Sequence, residues 1–247
     1  MEKWEGKIAV VTGASSGVGA VVAEKLARNG INVIGLARRS EVIEENIKKL
    51  GELSGKIYAR KCDLSDIQSI KDTFNWIEKT FGTINILVNN AGISGLNNVL
   101  KEGDEAEKLV NKMISTNFTG LVHCTRQSIS LMKKSDDPSI IVNINSSLGH
   151  HVSYMDYSLG IYPATKFGVR AFSETARQEL IYSGSMKIRI SSISPGLIKT
   201  AMTADDFFNN FPILKPEDVA DSLFYILSTP PSVNIQDILI KPNGAAY

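Results

Sequence analysis

Lys7-Ile8-Ala9-Val10-Val11-Thr12-Gly13-Ala14-Ser15-Ser16-Gly17-Val18-Gly19 is the stretch on which the fold turns. Its first part, Lys7 to Thr12, is a short, continuous apolar run, which reads as a strand buried on both faces. A glycine-rich turn follows at once. From Val18 to Asn29 the apolar residues recur with helical periodicity, and Gly30 stands where a helix would end. The turn has the spacing Gly13-x-x-x-Gly17-x-Gly19 rather than the commoner Gly-x-Gly-x-x-Gly. Glycines there let the backbone bend sharply and approach a pyrophosphate at the N-terminus of the helix. The competing reading is a tight turn with no ligand.

Outward from this unit, strand and helix alternate. Strands are expected at Ile31 to Leu36, Lys56 to Lys61, Ile84 to Asn89, Ser139 to Asn145, Lys187 to Ile193 and Ile235 to Ile240. Helices are expected at Glu41 to Leu50, Asp66 to Phe81 (capped by Ser65 or Asp66), Asp104 to Lys133 with a break near Asn117, Tyr162 to Tyr182, and Pro216 to Leu227. No repeat, low-complexity tract or linker interrupts them. The expected fold is α/β, a single-domain Rossmann-like doubly wound parallel sheet of about seven strands with helices on both faces, spanning residues 1–247.

Bulk properties narrow the partners. The 247 residues carry a formal net charge of +1, which gives no electrostatic footprint for nucleic acid or a membrane surface. No apolar run reaches the ~18–20 residues of a membrane span. Met1 to Lys7 lead straight into the first strand without a secretory pattern. Cys62 and Cys124 are isolated, with no metal spacing, and read as buried reduced thiols. The expected location is the cytoplasm.

At the end of the second strand, where NAD-binding chains usually carry an acid for the ribose 2′-OH, this chain has Ala37-Arg38-Arg39. Guanidinium groups pair with phosphate, so the run points to the 2′-phosphate of NADP. Two solvated arginines opening a helix are the alternative. Further on, Tyr162 and Lys166 stand four residues apart at the start of a helix, on one face. A phenol is a poor acid or base at neutral pH, and a neighbouring positive charge lowers its pKa. The pair is therefore suited to moving a proton on and off an alcohol oxygen. Tyr154 and Tyr157 have no lysine at that spacing.

These pieces occur in one order: Thr12-Gly13-x-x-x-Gly17-x-Gly19, Asn89-Asn90-Ala91-Gly92, Asn117, a serine after the fifth strand, Tyr162-x-x-x-Lys166, and Pro195-Gly196. In that order the chain resembles the short-chain dehydrogenase/reductase family over essentially its whole length. The resemblance implies a catalytic tetrad of Asn117, Ser146, Tyr162 and Lys166. Tyr162 would exchange the proton, Lys166 would lower its pKa and hold the nicotinamide ribose, the serine would bond the substrate oxygen, and Asn117 would hold a relay water. Cofactor contacts are implied along Gly13, Ser15, Ser16, Gly17, Val18 and Gly19, at Arg38, Arg39, Asp63 and Leu64, along Asn90, Ala91 and Gly92, and at Pro195, Gly196, Ile198 and Thr200. No metal is implied. A homodimer or homotetramer is.

Of the adjacent Ser146 and Ser147, the family pattern of serine, two residues and glycine selects Ser146 in Ser146-Ser147-Leu148-Gly149. Ser146 and Tyr162 are 16 positions apart, a few more than is common in the family. His150 and His151 in this loop read as surface residues, and Tyr154, Met155 and Tyr157 as candidates for the substrate pocket. The residues Leu197 to Leu214, with Met202, Phe207, Phe208 and Phe211, would cover an apolar substrate; the alternative is helices packed on the body or a partner subunit. The opening residues, Gly35-Leu36-Ala37-Arg38-Arg39 and Ile144-Asn145-Ser146 resemble a subgroup of animal members, which implies an apolar alcohol, aldehyde or ketone substrate, a terpenoid such as farnesol or farnesal. A broad carbonyl reductase, a hydroxysteroid dehydrogenase, an epimerase or dehydratase, and a non-catalytic nucleotide-binding protein are the alternatives.

Overall fold

The structure, a computed structural model, describes residues 1–95, 98–152, 158–203 and 211–245. Seven strands form one sheet in the order β3-β2-β1-β4-β5-β6-β7, with every neighbouring pair parallel. The strands are β1 (Ile8–Thr12), β2 (Asn32–Ala37), β3 (Ile57–Lys61), β4 (Ile86–Asn89), β5 (Ser139–Ile144), β6 (Ile188–Pro195) and β7 (Asp237–Ile240). The helices between them are α1 (Gly17–Arg28), α2 (Ser40–Lys49), α3 (Ile67–Phe81), α4 (Asp104–Ile114), α5 (Gly120–Met132), α6 (Tyr162–Tyr182) and α7 (Pro216–Ser228).

Successive strand residues point to opposite faces, and both faces are covered. Ala9 and Val11 of β1 pack with Val22 and Leu26 of α1 and Leu223 of α7. Val10, between them, packs on the other side with Phe74 of α3, Cys124 of α5 and Leu180 of α6. This two-sided burial is why the strand sequences lack polar alternation. The edge strands β3 and β7 are only partly buried, and β7 starts at Asp237, two residues later than its hydropathy suggests.

A buried polar ladder locks the second half of the sheet to its helices. Asn89 Nδ2 donates to Asn143 Oδ1 and to Thr125 Oγ1, each at 2.9 Å, and Asn143 Nδ2 donates to Ser173 Oγ at 2.8 Å. Buried amides left without partners cost about 1–3 kcal/mol each, so this ladder sets the position of α6 along the sheet. That matters because α6 begins with Tyr162.

One local expectation changes, and an open alternative at α3 closes on Asp66. The helix from Asp104 to Lys133 is not broken at Asn117. A π turn at Ser115–Thr119 joins α4 to α5, and the Gly120 N–H bonds back to the Ser115 carbonyl five residues earlier. A π turn inserts one extra residue, so the chain stays helical while its facing rotates, and Asn117 is buried at that point. At α3, Asp66 is the cap, its carboxylate accepting from Gln68 N at 2.9 Å; Ser65 instead donates to Asp63.

Candidate active site

The chain leaves β1 toward β2 and β3, then returns to β4 on the other side of β1, which opens a crevice at the C-terminal ends of the strands. A cavity of about 630 Å³ lies there. Gly13 is in the left-handed region (φ 70°), and a Cβ on it would come within 2.9 Å of Ala91 Cα. A Cβ on Gly19 would lie 2.4 Å from the Gly13 carbonyl oxygen. The two glycines let α1 start tight against β1 and β4. Thr12 Oγ1 accepts from the N–H groups of Asn90 (2.9 Å) and Ala91 (3.0 Å), and Asn90 Nδ2 donates to Thr12 O (2.9 Å). The Asn-Asn-Ala-Gly motif thus holds the glycine turn in shape.

The site fits a dinucleotide. The Ser16 side chain makes no capping bond to α1, so the first-turn N–H groups face the cavity without a side-chain acceptor. Arg38 and Arg39 line the same cavity and form no salt bridge with a described residue. Asp63 joins them on the wall. Burial pushes its carboxyl up, but hydrogen bonds from Ser65 and the charges of Arg38 and Lys112 outweigh burial and hold it below its ordinary value. A charged rim of two guanidiniums and one ionised carboxylate can bind a phosphate and hydroxyl groups respectively.

At the other end of the cavity stand Ser146, Tyr162 and Lys166. Ser146 follows β5, is buried, accepts from Leu148 N at 3.1 Å, and stands near enough to the Tyr162 phenol to lower its pKa. Tyr162 is the first residue of α6, with Pro163 next to it in the first turn. One turn later Lys166 places Nζ 5.6 Å from the Tyr162 ring centre and donates to the Ile144 carbonyl at 2.9 Å. Burial lowers its pKa to about 8. Tyr162 departs from expectation: its pKa is raised, because burial outweighs the hydrogen bond from Ser146. The nearby ammonium is turned to the Ile144 carbonyl and does not offset that burial.

The cavity wall includes Gly13, Ser15, Ser16, Gly17, Val18, Arg38, Arg39, Asp63, Leu64, Asn90, Ala91, Gly92, Ser146, Tyr162, Lys166, Gly196, Ile198 and Thr200, all expected from the sequence. Gly19, Asn117 and Pro195 stand behind it. Asn117 Oδ1 accepts from Ile93 N and Nδ2 donates to Ile93 O, both at 2.8 Å. Its amide therefore fixes the loop after β4 at Ile93; the relay water implied by the resemblance would need another atom of this residue. Ile93, Thr116, Leu148, His151, Leu159 and Lys241 also line the cavity and were missed. Lys241 was discoverable, since it follows β7 at the same sheet edge; His151 and Leu159 belong to the long loop, whose path no periodicity predicts. Tyr154, Met155, Tyr157, Phe207 and Phe208 lie outside the described residues. Among the described residues no group of three or more His, Cys, Asp or Glu could hold a metal ion, and no helix is long and apolar enough to cross a membrane.

A parallel sheet with a glycine turn at its switch point and a serine, tyrosine and lysine at one edge defines a nucleotide-linked oxidoreductase of a known kind. The short chain dehydrogenase family matches residues 7–209, and the chain belongs to that family. It is 41% identical to farnesol dehydrogenase of Aedes aegypti over the whole of both chains. It is 36% identical to human dehydrogenase/reductase SDR family member 11, covering 98% of this chain and 96% of the relative. Among solved structures, the closed form of serine dehydrogenase complexed with NADP+ superposes with a TM-score of 0.83 at 31% identity, covering 97% of this chain and 96% of the other. A metagenomic short-chain oxidoreductase in complex with NADP gives 0.76 at 26% identity, covering 98% and 99%.

The adjacent serines differ in a way that can be measured. Ser146 acts on the pKa of the phenol, whereas Ser147 lines the cavity without such an effect. Ser146→Ala is expected to lower turnover by about 100-fold, and Ser147→Ala by less than about threefold. Steady-state kinetics on both variants decide it, and the reverse order would reassign the hydroxyl.

Proposed function

We propose that this protein is an NADP-dependent dehydrogenase/reductase acting on apolar alcohols and their carbonyls, with a terpenoid alcohol such as farnesol, or its aldehyde, as substrate. The observation that carries the reading is that one cavity holds Ser146, Tyr162 and Lys166 at one end and Arg38 and Arg39 at the other. The bound nicotinamide would supply or accept the hydride. The glycine turn and the first turn of α1 would hold the pyrophosphate, and Lys166 the nicotinamide ribose. Ser146 would donate a hydrogen bond to the substrate oxygen. Tyr162 would give its phenolic proton to that oxygen in reduction and take it back in oxidation. Ile93, Leu148, Leu159, Leu197 and Met202 line the same cavity and suit a hydrocarbon chain. The 41% identity to the mosquito farnesol dehydrogenase supports the terpenoid assignment.

The segment 197–214 would cover the substrate. In support, Leu197, Ile198, Met202 and Thr203 line the cavity, and an isolated bridge joins Ile198 to Leu214 across the segment. Cys62 and Cys124, both free and buried, suit a reducing compartment such as the cytoplasm. Ile181 and Tyr182, exposed at the end of α6, suit contacts in a homodimer or homotetramer, which light scattering reads directly.

The test is a screen of farnesol, farnesal, hydroxysteroids and simple aldehydes and ketones with both cofactors. The expected result is the highest kcat/KM for the terpenoid pair with NADP(H). A steroid preference would move the assignment, and no turnover of any compound despite tight NADPH binding would leave a nucleotide-binding protein. In the same assay, replacing Arg38 and Arg39 by Ala is expected to raise the KM for NADP by roughly 100-fold, since charge-assisted contacts contribute about 1.5–3 kcal/mol each. The KM for NAD should move less than about threefold. Equal effects on both cofactors would remove the arginines from 2′-phosphate selection.

A further inference from the structure

We propose that His150 is a positioning residue, latching the turn that carries Ser146 onto the far edge of the sheet. His150 Nε2 lies 2.9 Å from Ser194 Oγ and 3.2 Å from Asp237 Oδ2. Ser194 Oγ donates to Asp237 Oδ1 at 2.9 Å. These three side chains join the β5–α6 connection to the end of β6 and the first residue of β7. Ser194 is fully buried, and the His150 and Asp237 side chains keep 22% and 27% of their exposure. The sequence reading of His150 as a surface loop residue therefore does not hold.

Proton accounting fixes the roles. An ionised carboxylate only accepts, and the Ser194 proton is committed to Asp237. Nε2 of His150 must then carry the hydrogen, shared between Ser194 Oγ and Asp237 Oδ2. The serine and the carboxylate meet the same ring nitrogen, so the imidazole does not stand between them as a hydrolytic triad requires. The cluster is built to hold, not to attack.

What it holds is short and continuous with the proposed catalytic serine. Ser146 Oγ accepts from Leu148 N at 3.1 Å, and Gly149 N bonds the Ser146 carbonyl at 2.9 Å. Gly149 is wedged on its other side, where a Cβ would meet Asn145 Nδ2 at 2.7 Å and the Lys166 carbonyl at 2.9 Å. Residues 146–150 thus have one anchor at α6 and a second, through His150, at β6 and β7. Release of the second anchor moves Leu148 N and Gly149 N, the two groups that set the Ser146 side chain and backbone. His151, next in the chain, lines the cavity and would shift with them. The glycine turn and the arginines lie across the sheet, at β1 to β3, away from the latch.

The inference rests on the reading of Ser146 as the substrate's hydrogen-bond donor, and the experiment separates the two. His150→Phe keeps the volume and removes the donor; His150→Gln keeps an N–H near the position of Nε2. The first readout, amide hydrogen exchange of the full-length protein, needs no substrate. Exchange at Leu148 to His150 is expected to rise at least about 10-fold in the Phe variant and to stay near wild type in the Gln variant. In the second readout, kcat should fall about 10-fold in the Phe variant with NADPH Kd within twofold, and recover within threefold in the Gln variant. Exchange unchanged in the Phe variant, or faster exchange with unchanged kcat, overturns the positioning role. Wild-type turnover in Ser146→Ala overturns the functional reading instead.

Discussion

Tyr162→Phe is expected to lower turnover by roughly 1,000-fold in both directions while leaving NADPH affinity within about threefold of wild type. The substitution removes one oxygen and keeps the ring beside the Lys166 ammonium. Positioned proton transfer contributes about 100- to 10,000-fold. The raised pKa of the phenol adds a direction to the wild-type profile. A phenol held above its ordinary value stays protonated through neutral and mildly alkaline pH. Carbonyl reduction, which uses the proton, should hold across pH 6 to 9, and alcohol oxidation, which needs the phenolate, should rise with pH over that range. Stopped-flow and steady-state assays in each direction check both points. A Phe variant within tenfold of wild type would remove Tyr162 from the chemistry.

Lys166→Met is expected to separate stability from function. Burial brings Lys166 from an ordinary 10.5 to about 8, so the folded protein holds the proton less tightly than the unfolded chain. Below pH 8 the folded state bears the full cost of the buried charge, on the order of 3 kcal/mol. Between about 8 and 10.5 the unfolded state binds more protons, so wild-type stability rises with pH relative to the variant; above 10.5 the cost is gone. Methionine keeps most of the volume and removes the charge, but it strands the Ile144 carbonyl, which costs about 1–3 kcal/mol. The charge term is the larger across most of that range. At pH 7 the variant should match or exceed wild type in Tm by a few degrees, and the advantage should vanish by pH 10.5. Turnover should fall on the order of 100- to 1,000-fold. A variant that is less stable than wild type at pH 7, and by the same margin at pH 10, would show that the lysine is a structural cation.

Much of the molecule is legible along the chain because its determinants are local. The strands carry apolar residues at consecutive positions, as two-sided burial requires, so even short runs such as Ile86–Asn89 stand out. The glycine turn and the Tyr-x-x-x-Lys spacing are also local, since backbone freedom and helical pitch operate over a few residues. Departures occur where the deciding contact comes from elsewhere. The helix around Asn117 continues as a π turn because its buried amide meets Ile93 from another loop. His150 looks like a loop residue until β6 and β7 bring Ser194 and Asp237 to it, from 44 positions away in the first case.

The order of apolar runs, glycines and short motifs along the 247 residues is sufficient to specify a parallel α/β sheet, its glycine turn and the three side chains proposed for proton transfer. Long-range packing sets the state of those side chains. Burial raises the Tyr162 pKa and lowers that of Lys166, and the Ile144 carbonyl claims the ammonium. The physical reason is that spacing along a helix specifies which groups are neighbours, whereas a pKa depends on how much water the whole fold removes around them.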